Sequence, residues 1–123
     1  MTKSSRYSFS ETIERLSKAI ADGGNTIFAT IDQAAAAKTA GLPLRPTTLI
    51  IFGNPRGGTP LMEAFPLVAL ELPLKLLVWD EDGNVSVAYV PMSEIAPRYG
   101  VAGMDTRIAA MDRAVDALIN TVA

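Results

Sequence analysis

Between Pro46 and Gly53 the chain runs Thr47-Thr48-Leu49-Ile50-Ile51-Phe52. The run is apolar on both faces and rich in β-branched residues, which predicts a central strand of a sheet. The other segments are read around it. Tyr7 to Phe9 reads as a short strand. Ser8 and Glu11 then form a capping box for a helix whose stripe is Ile13, Leu16 and Ile20. Gly23-Gly24 ends that helix. Asn25 to Ile31 alternates, with Ile27, Ala29 and Ile31 on one side and Thr26, Phe28 and Thr30 on the other. Asp32 is a natural N-cap for a short alanine-rich helix, Gln33 to Ala40, closed by Gly41.

Beyond the central strand, Gly53 to Gly58 reads as loop, and Thr59-Pro60 as a helix start cut short by Pro66. Leu74 to Trp79 is a strand. Asp82-Gly83 signals a type I′ turn, with Asn84 to Val90 returning and Val85, Val87 and Tyr89 on one face. Ser93 can cap a short helix reaching Arg98. A last helix from near Asp105 carries the stripe Ile108, Met111, Val115, Leu118, Ile119 and Val122. An adjacent hairpin plus a long terminal helix predicts an α+β protein, its largely antiparallel sheet having helices on one face. Its 123 residues fit a single domain spanning 1–123.

Two absences restrict the chemistry. The chain has no Cys and no His, so thiolate nucleophiles, thiolate metal sites and His-based triads are excluded. Any catalysis would fall to groups such as Asp32 acting as a base with Thr59 or Tyr89. The net charge of −2 comes with scattered basic residues, so no nucleic-acid footprint is expected. No apolar run reaches the roughly 20 residues of a membrane helix, and the polar Met1 to Arg6 has no signal-peptide core. A cytoplasmic location without membrane association is expected. Asp80, Asp82 and Asn84 open like a calcium loop, but Val85 and Pro91 stand where Gly and Glu are needed, so no metal is expected.

Gly53-Asn54-Pro55-Arg56-Gly57-Gly58-Thr59 follows the buried strand and leads into a helix. Gly53 and Gly58 have phosphate-loop spacing, yet Thr59 replaces the required Lys and Pro60 follows, which rules out a nucleoside triphosphatase. Amides at the helix start, with Arg56 beside them, could hold a carboxylate or phosphate. The alternative is a sharp turn with no ligand. Trp79 and Tyr89 read as core aromatics, and Glu71 and Lys75 as an edge or subunit contact.

The stretch from Arg45-Pro46-Thr47 through Phe52-Gly53-Asn54-Pro55 to Gly58-Thr59-Pro60-Leu61-Met62 resembles the core of the domain-of-unknown-function 302 family. Ser10-Glu11-Thr12 to Leu16, Pro66-Leu67 to Lys75, and Val78-Trp79-Asp80-Glu81 are also similar, so the resemblance runs from about Ser8 to Gly100. It implies a β-α-β4-α arrangement of the TATA-binding-protein type, often dimeric, and no established activity. Family members usually carry His after the strand-ending Ile-Asp, where this chain has Gln33. Gln can hydrogen-bond but cannot titrate near neutral pH.

The resulting expectation is a domain that binds a small anionic or amphipathic ligand, without a cofactor. Asp32 and Gln33 would meet the glycine segment, with Asn54 and the amides of Gly57, Gly58 and Thr59 orienting the ligand. Arg56 or Arg45 would supply charge, and Met62 an apolar wall. The alternative is a homodimeric or partner-binding module without a ligand site.

Overall fold

The computed structural model describes residues 1–123. Strands β1 (Thr2–Ser4), β2 (Thr26–Asp32), β3 (Thr47–Gly53), β4 (Leu74–Glu81) and β5 (Asn84–Ala88) form one sheet in the order β1-β5-β4-β3-β2. All neighbours are antiparallel. Five helices, α1 (Phe9–Asp22), α2 (Gln33–Thr39), α3 (Pro55–Ala64), α4 (Met92–Ile95) and α5 (Asp105–Asn120), complete the chain with two 3-10 stretches, Pro66–Glu71 and Ala96–Tyr99. Apart from α2, α3 and α4, this is the expected β-α-β4-α order, and the α+β class is as expected.

Alternation along the strands explains why one face is covered. Ile50 and Phe52 of β3, Leu76 and Val78 of β4, and Val85 and Val87 of β5 are all buried. They form one core with Leu16 and Ile20 from α1 and Val115, Leu118 and Ile119 from α5. Burying one such side chain stabilises by about 1.5–3 kcal/mol. The opposite face presents Leu49, Ile51, Leu77 and Trp79, all half-buried, and none belongs to a core cluster. The β3 run is thus apolar on both faces, with helices on only one. Trp79 pairs with Thr47 and Ser86 on the open face, whereas Tyr89 is 9% exposed on the covered one. Of these two, only the tyrosine is a core aromatic.

Three local expectations need correction. Tyr7 to Phe9 is not a strand. The Ser8 hydroxyl accepts from the Glu11 amide at 3.2 Å, so the helix begins at Phe9. The first strand is Thr2–Ser4, which pairs with β5. Asn25–Ile31 does not alternate cleanly. A bulge lies between Ile27 and Ala29, so Ile27 pairs with buried Phe52 while Ala29 and Ile31 pair with Ile51 and Leu49 of the open face. Phe28 is the extra residue and is 56% exposed. Ser93 does not cap α4. Instead the Asp112 carboxylate of α5 accepts from the Met92 amide at 2.6 Å and the Ser93 amide at 3.1 Å. The β4–β5 turn forms as read, with Asp82 and Gly83 both at positive φ.

The Asp112 contact supplies the acceptor that a four-residue helix cannot provide for itself. Asp112→Ala is expected to lower stability by about 1–2 kcal/mol, as loss of an N-cap does. Asp116→Ala removes a half-exposed ion pair to Lys3 and is expected to cost less than about 1 kcal/mol. Urea denaturation of both variants checks the order.

Candidate functional site

The glycine segment is helical rather than a loop. Asn54 is the N-cap of α3, its side-chain oxygen accepting from the Arg56 amide at 3.0 Å, and Pro55 takes the first helical position. Gly57 and Gly58 donate to the Asn54 carbonyl at 2.9 and 3.1 Å. The amides of Arg56, Gly57 and Gly58 therefore already have partners, and the helix start offers no vacant anion cradle. Neither glycine has a positive φ.

The same glycines line a cleft of about 1060 Å³ at one end of the sheet. The starts of β2 and β4 and the end of β3 meet there, closed over by α3 and the first half of α5. Its apolar wall includes Phe28, Met62, Leu72, Met104 and Met111. Polar groups come from Asn25, Asn54, Thr59 and Thr106, and charge from Asp105 and Arg107. Arg107 Nη1 donates to the carbonyls of Arg56 at 3.2 Å and Gly57 at 3.5 Å. Arg107 makes no ion pair, so the rest of its guanidinium keeps its donors for other acceptors.

The structure divides the residues expected to form one site. Asn54, Gly57, Gly58, Thr59 and Met62 line the cleft. Arg56 is exposed and is not part of the wall. Asp32, Gln33 and Arg45 lie at the other end of the β2–β3 pair, where Asp32 faces Thr48 while Thr26 faces Gly53. A strand of this length puts about 20 Å between the two ends, so these three residues do not converge with the glycine segment. Asp32 caps α2 by accepting from the Ala35 amide at 2.9 Å. Gln33 is exposed in the first turn of α2. Arg45 lies 3.8 Å from Glu81. With Asp32 so far from Thr59, the two cannot act together as base and nucleophile.

Sequence reasoning missed most of the cleft wall outside the glycine segment, including Asn25, Leu72, Met104 and Met111 and, most consequentially, Arg107 and Phe28. Arg107 stands about fifty positions from α3 in the chain, and nothing local marks it. Phe28 was hidden by an alternation that the bulge interrupts. One contact on the way to the wall was also hidden: the Tyr99 hydroxyl donates to Glu71 Oε1 at 2.6 Å. It ties the two 3-10 stretches together just before Leu72 enters the cleft. Lys75 Nζ donates to the carbonyls of Glu71 and Pro73 at 3.1 and 3.0 Å. Glu71 and Lys75 thus serve this internal corner.

The protein is thus an α+β domain with a one-sided, five-stranded antiparallel sheet, two covering helices and a cleft at the sheet end. The chain belongs to the family described as "Domain of unknown function DUF302", whose sequence model matches residues 1–119. The crystal structure of an uncharacterized conserved DUF302 protein from Bacillus stearothermophilus has the same fold, with a TM-score of 0.92 at 19% identity, covering 100% of this chain and 97% of that one. Among curated proteins, 87 residues are 47% identical to "Fluoride-specific ion channel FluC 1" of Brucella suis biovar 1 (strain 1330), covering 71% of this chain and 34% of that protein. The namesake of Brucella abortus biovar 1 (strain 9-941) matches at the same identity over 32% of its length. The chain thus spans about a third of these relatives. No helix here is long and apolar enough to cross a membrane.

Two phenols near these elements carry a pH signature. The hydrogen bond to Glu71, then burial, raises the Tyr99 hydroxyl above the ordinary tyrosine value of 10.0. Burial, then the nearby carboxylates Asp116 and Asp112, raises Tyr89 in the same direction. With folded values above the unfolded ones, their contribution is complete below about pH 10 and is lost as pH rises through the folded values. Stability is therefore expected to fall above pH 10, with phenolate absorbance showing both groups ionising above the ordinary value. The Tyr99→Phe variant is expected to lose one of these late steps.

Proposed function

We propose that this domain binds a small anionic or amphipathic molecule in the cleft between α3 and α5. The observation that carries the reading is the lining: a wall rich in apolar side chains, with Asn54, Thr59 and Arg107 placed on it. Ligand sites have that composition, mostly apolar with a few convergent polar groups. Three of the five methionines, Met62, Met104 and Met111, belong to the wall, and such flexible thioether side chains adapt to varied ligand shapes. The charge expected from Arg56 or Arg45 is supplied in this reading by Arg107. Asp32 and Gln33 have no part in it, so the family's usual His at position 33 belongs to the far end of the sheet. The domain is read as cytoplasmic. The channel activity in the Brucella relatives' names belongs to much longer proteins and is not carried over.

The test is a thermal-shift panel of organic acids, phosphates and sulfur oxyanions. A ligand at about a hundred times its Kd is expected to add ~2.7 kcal/mol and raise Tm by several degrees. Arg107→Gln should abolish the shift, at a cost to the free protein of about 1 kcal/mol for the lost contacts to α3. No shift with any compound, or a shift that survives Arg107→Gln, would sink the proposal.

A second reading is favoured by the open sheet face. Leu49, Ile51, Leu77 and Trp79 make an apolar surface where a solvated antiparallel sheet ordinarily turns polar. A second copy of the chain, docking its own sheet there, would bury it, in keeping with a homodimer. Leu77→Lys is expected to shift a dimer to monomer in sedimentation velocity. A parent protein that is monomeric at micromolar concentration refutes this reading.

A further inference from the structure

We infer that the occupant of the cleft is a planar aromatic acid, its ring laid against Phe28 and the bare backbone of Gly57 and Gly58, its acid group on Arg107. This deepens, and rests on, the reading of the cleft as a small-molecule site.

The aromatic part follows from Phe28. It is the unpaired residue of the β2 bulge, 56% exposed, and part of the cleft wall. Bulges re-aim a side chain that would otherwise join one face of the sheet. A ring left more than half in water beside a cavity is a stacking partner without a partner, and aromatic pairs favour offset or edge-to-face geometry.

Planarity follows from the glycines, which the chain's own packing does not require. None of Gly53, Gly57 or Gly58 has a positive φ. A Cβ at Gly53 would meet Phe28 Cε2 and Pro73 Cβ at 3.6 Å, and one at Gly58 would meet Leu72 Cδ1 at 3.6 Å and Met62 Cε at 3.7 Å. These are ordinary contacts, and a Cβ at Gly57 would meet nothing within 4 Å. Both Gly57 and Gly58 lie in α3, where alanine is the better helix former. Alanine would therefore fit at all three positions and suit the helix better at two. What glycine keeps is a flat, side-chain-free surface on the cleft.

The acid follows from Arg107, whose Nη1 is engaged by two carbonyls while the rest of its fork is open to a carboxylate. Asp105, the other charged side chain on the wall, is two residues away on α5, and residues so spaced do not face each other. It disfavours a second negative charge, which limits the ligand to one acid group beside an otherwise neutral ring.

Calorimetric titration of the whole chain with naphthoate, naphthalene carboxamide and octanoate separates the elements. Naphthoate is expected to bind at least about tenfold tighter than either comparison, a factor in the range of one aromatic contact or one charged hydrogen bond. Phe28→Leu should weaken naphthoate about tenfold with octanoate unchanged. The Gly57→Ala/Gly58→Ala double variant should melt at or above the parent temperature and still bind naphthoate about tenfold more weakly, because two methyl groups occupy the ligand's surface. Octanoate binding as tightly as naphthoate, with Phe28→Leu and the double variant harmless, would overturn the aromatic assignment and leave the cleft a small-molecule site. Binding of neither acid overturns the assignment and, if the wider panel also fails, the cleft reading beneath it.

Discussion

The fold depends on one-sided burial. Ile50, Phe52, Leu76, Val78, Val85 and Val87 project from one face of three adjacent strands, and only α1 and α5 cover them. Burial is proportional to apolar area removed from water, so the helices must lie where those strands present their side chains. The short β1 is held by backbone pairing to β5 instead, since none of Thr2, Lys3 and Ser4 is buried. It extends the sheet past β5, and its Met1 amino group donates to the Tyr89 carbonyl at 3.0 Å, fixing the end of the chain where Tyr89 enters the core.

The cleft arises where this cover stops. The sheet core and the second core, built from Leu61, Val68, Met92, Ile95, Ile108 and Met111, are separate clusters, and α5 contributes to both. Its C-terminal half lies over the sheet. Its N-terminal half lies against α3 and α4, held by Asp112 on the α4 amides and by Arg107 on the α3 carbonyls. A single helix thus fixes the position of the cleft wall relative to the strand ends.

The long periodic elements were legible because burial enforces their periods. Each residue of the stripe from Ile108 to Val122 is buried, as is each of Val85, Val87 and Tyr89. The glycine segment reads as loop because Gly57 and Gly58 have low helix propensity, and the helix start is read at Thr59-Pro60 although Asn54-Pro55 offers the same cap-then-Pro pattern earlier in the chain. Tertiary packing overrides such propensities. The candidate site was half legible. Asn54, Gly57, Gly58, Thr59 and Met62 belong together because they are local in sequence. Asp32, Gln33 and Arg45 were grouped with them because which ends of two strands lie side by side is unknown until their pairing is, and the antiparallel β2–β3 pair sets the ends of β2 and β3 apart. Arg107 reaches the cleft only through tertiary structure, and no local pattern announces it.

The bulge at Phe28 has a second consequence, for the company the protein keeps in solution. β2 is the outermost strand on its side of the sheet, and its outer backbone is a template on which another chain could add a strand. β1 is guarded by its brevity, three residues. β2 has seven, enough to recruit a neighbour. An extra residue twists an edge strand and breaks its hydrogen-bonding register, which is a recognised defence against edge-to-edge aggregation. The irregularity that puts an aromatic ring on the cleft wall therefore also lies on the exposed flank of the sheet, where a bulge disfavours strand addition.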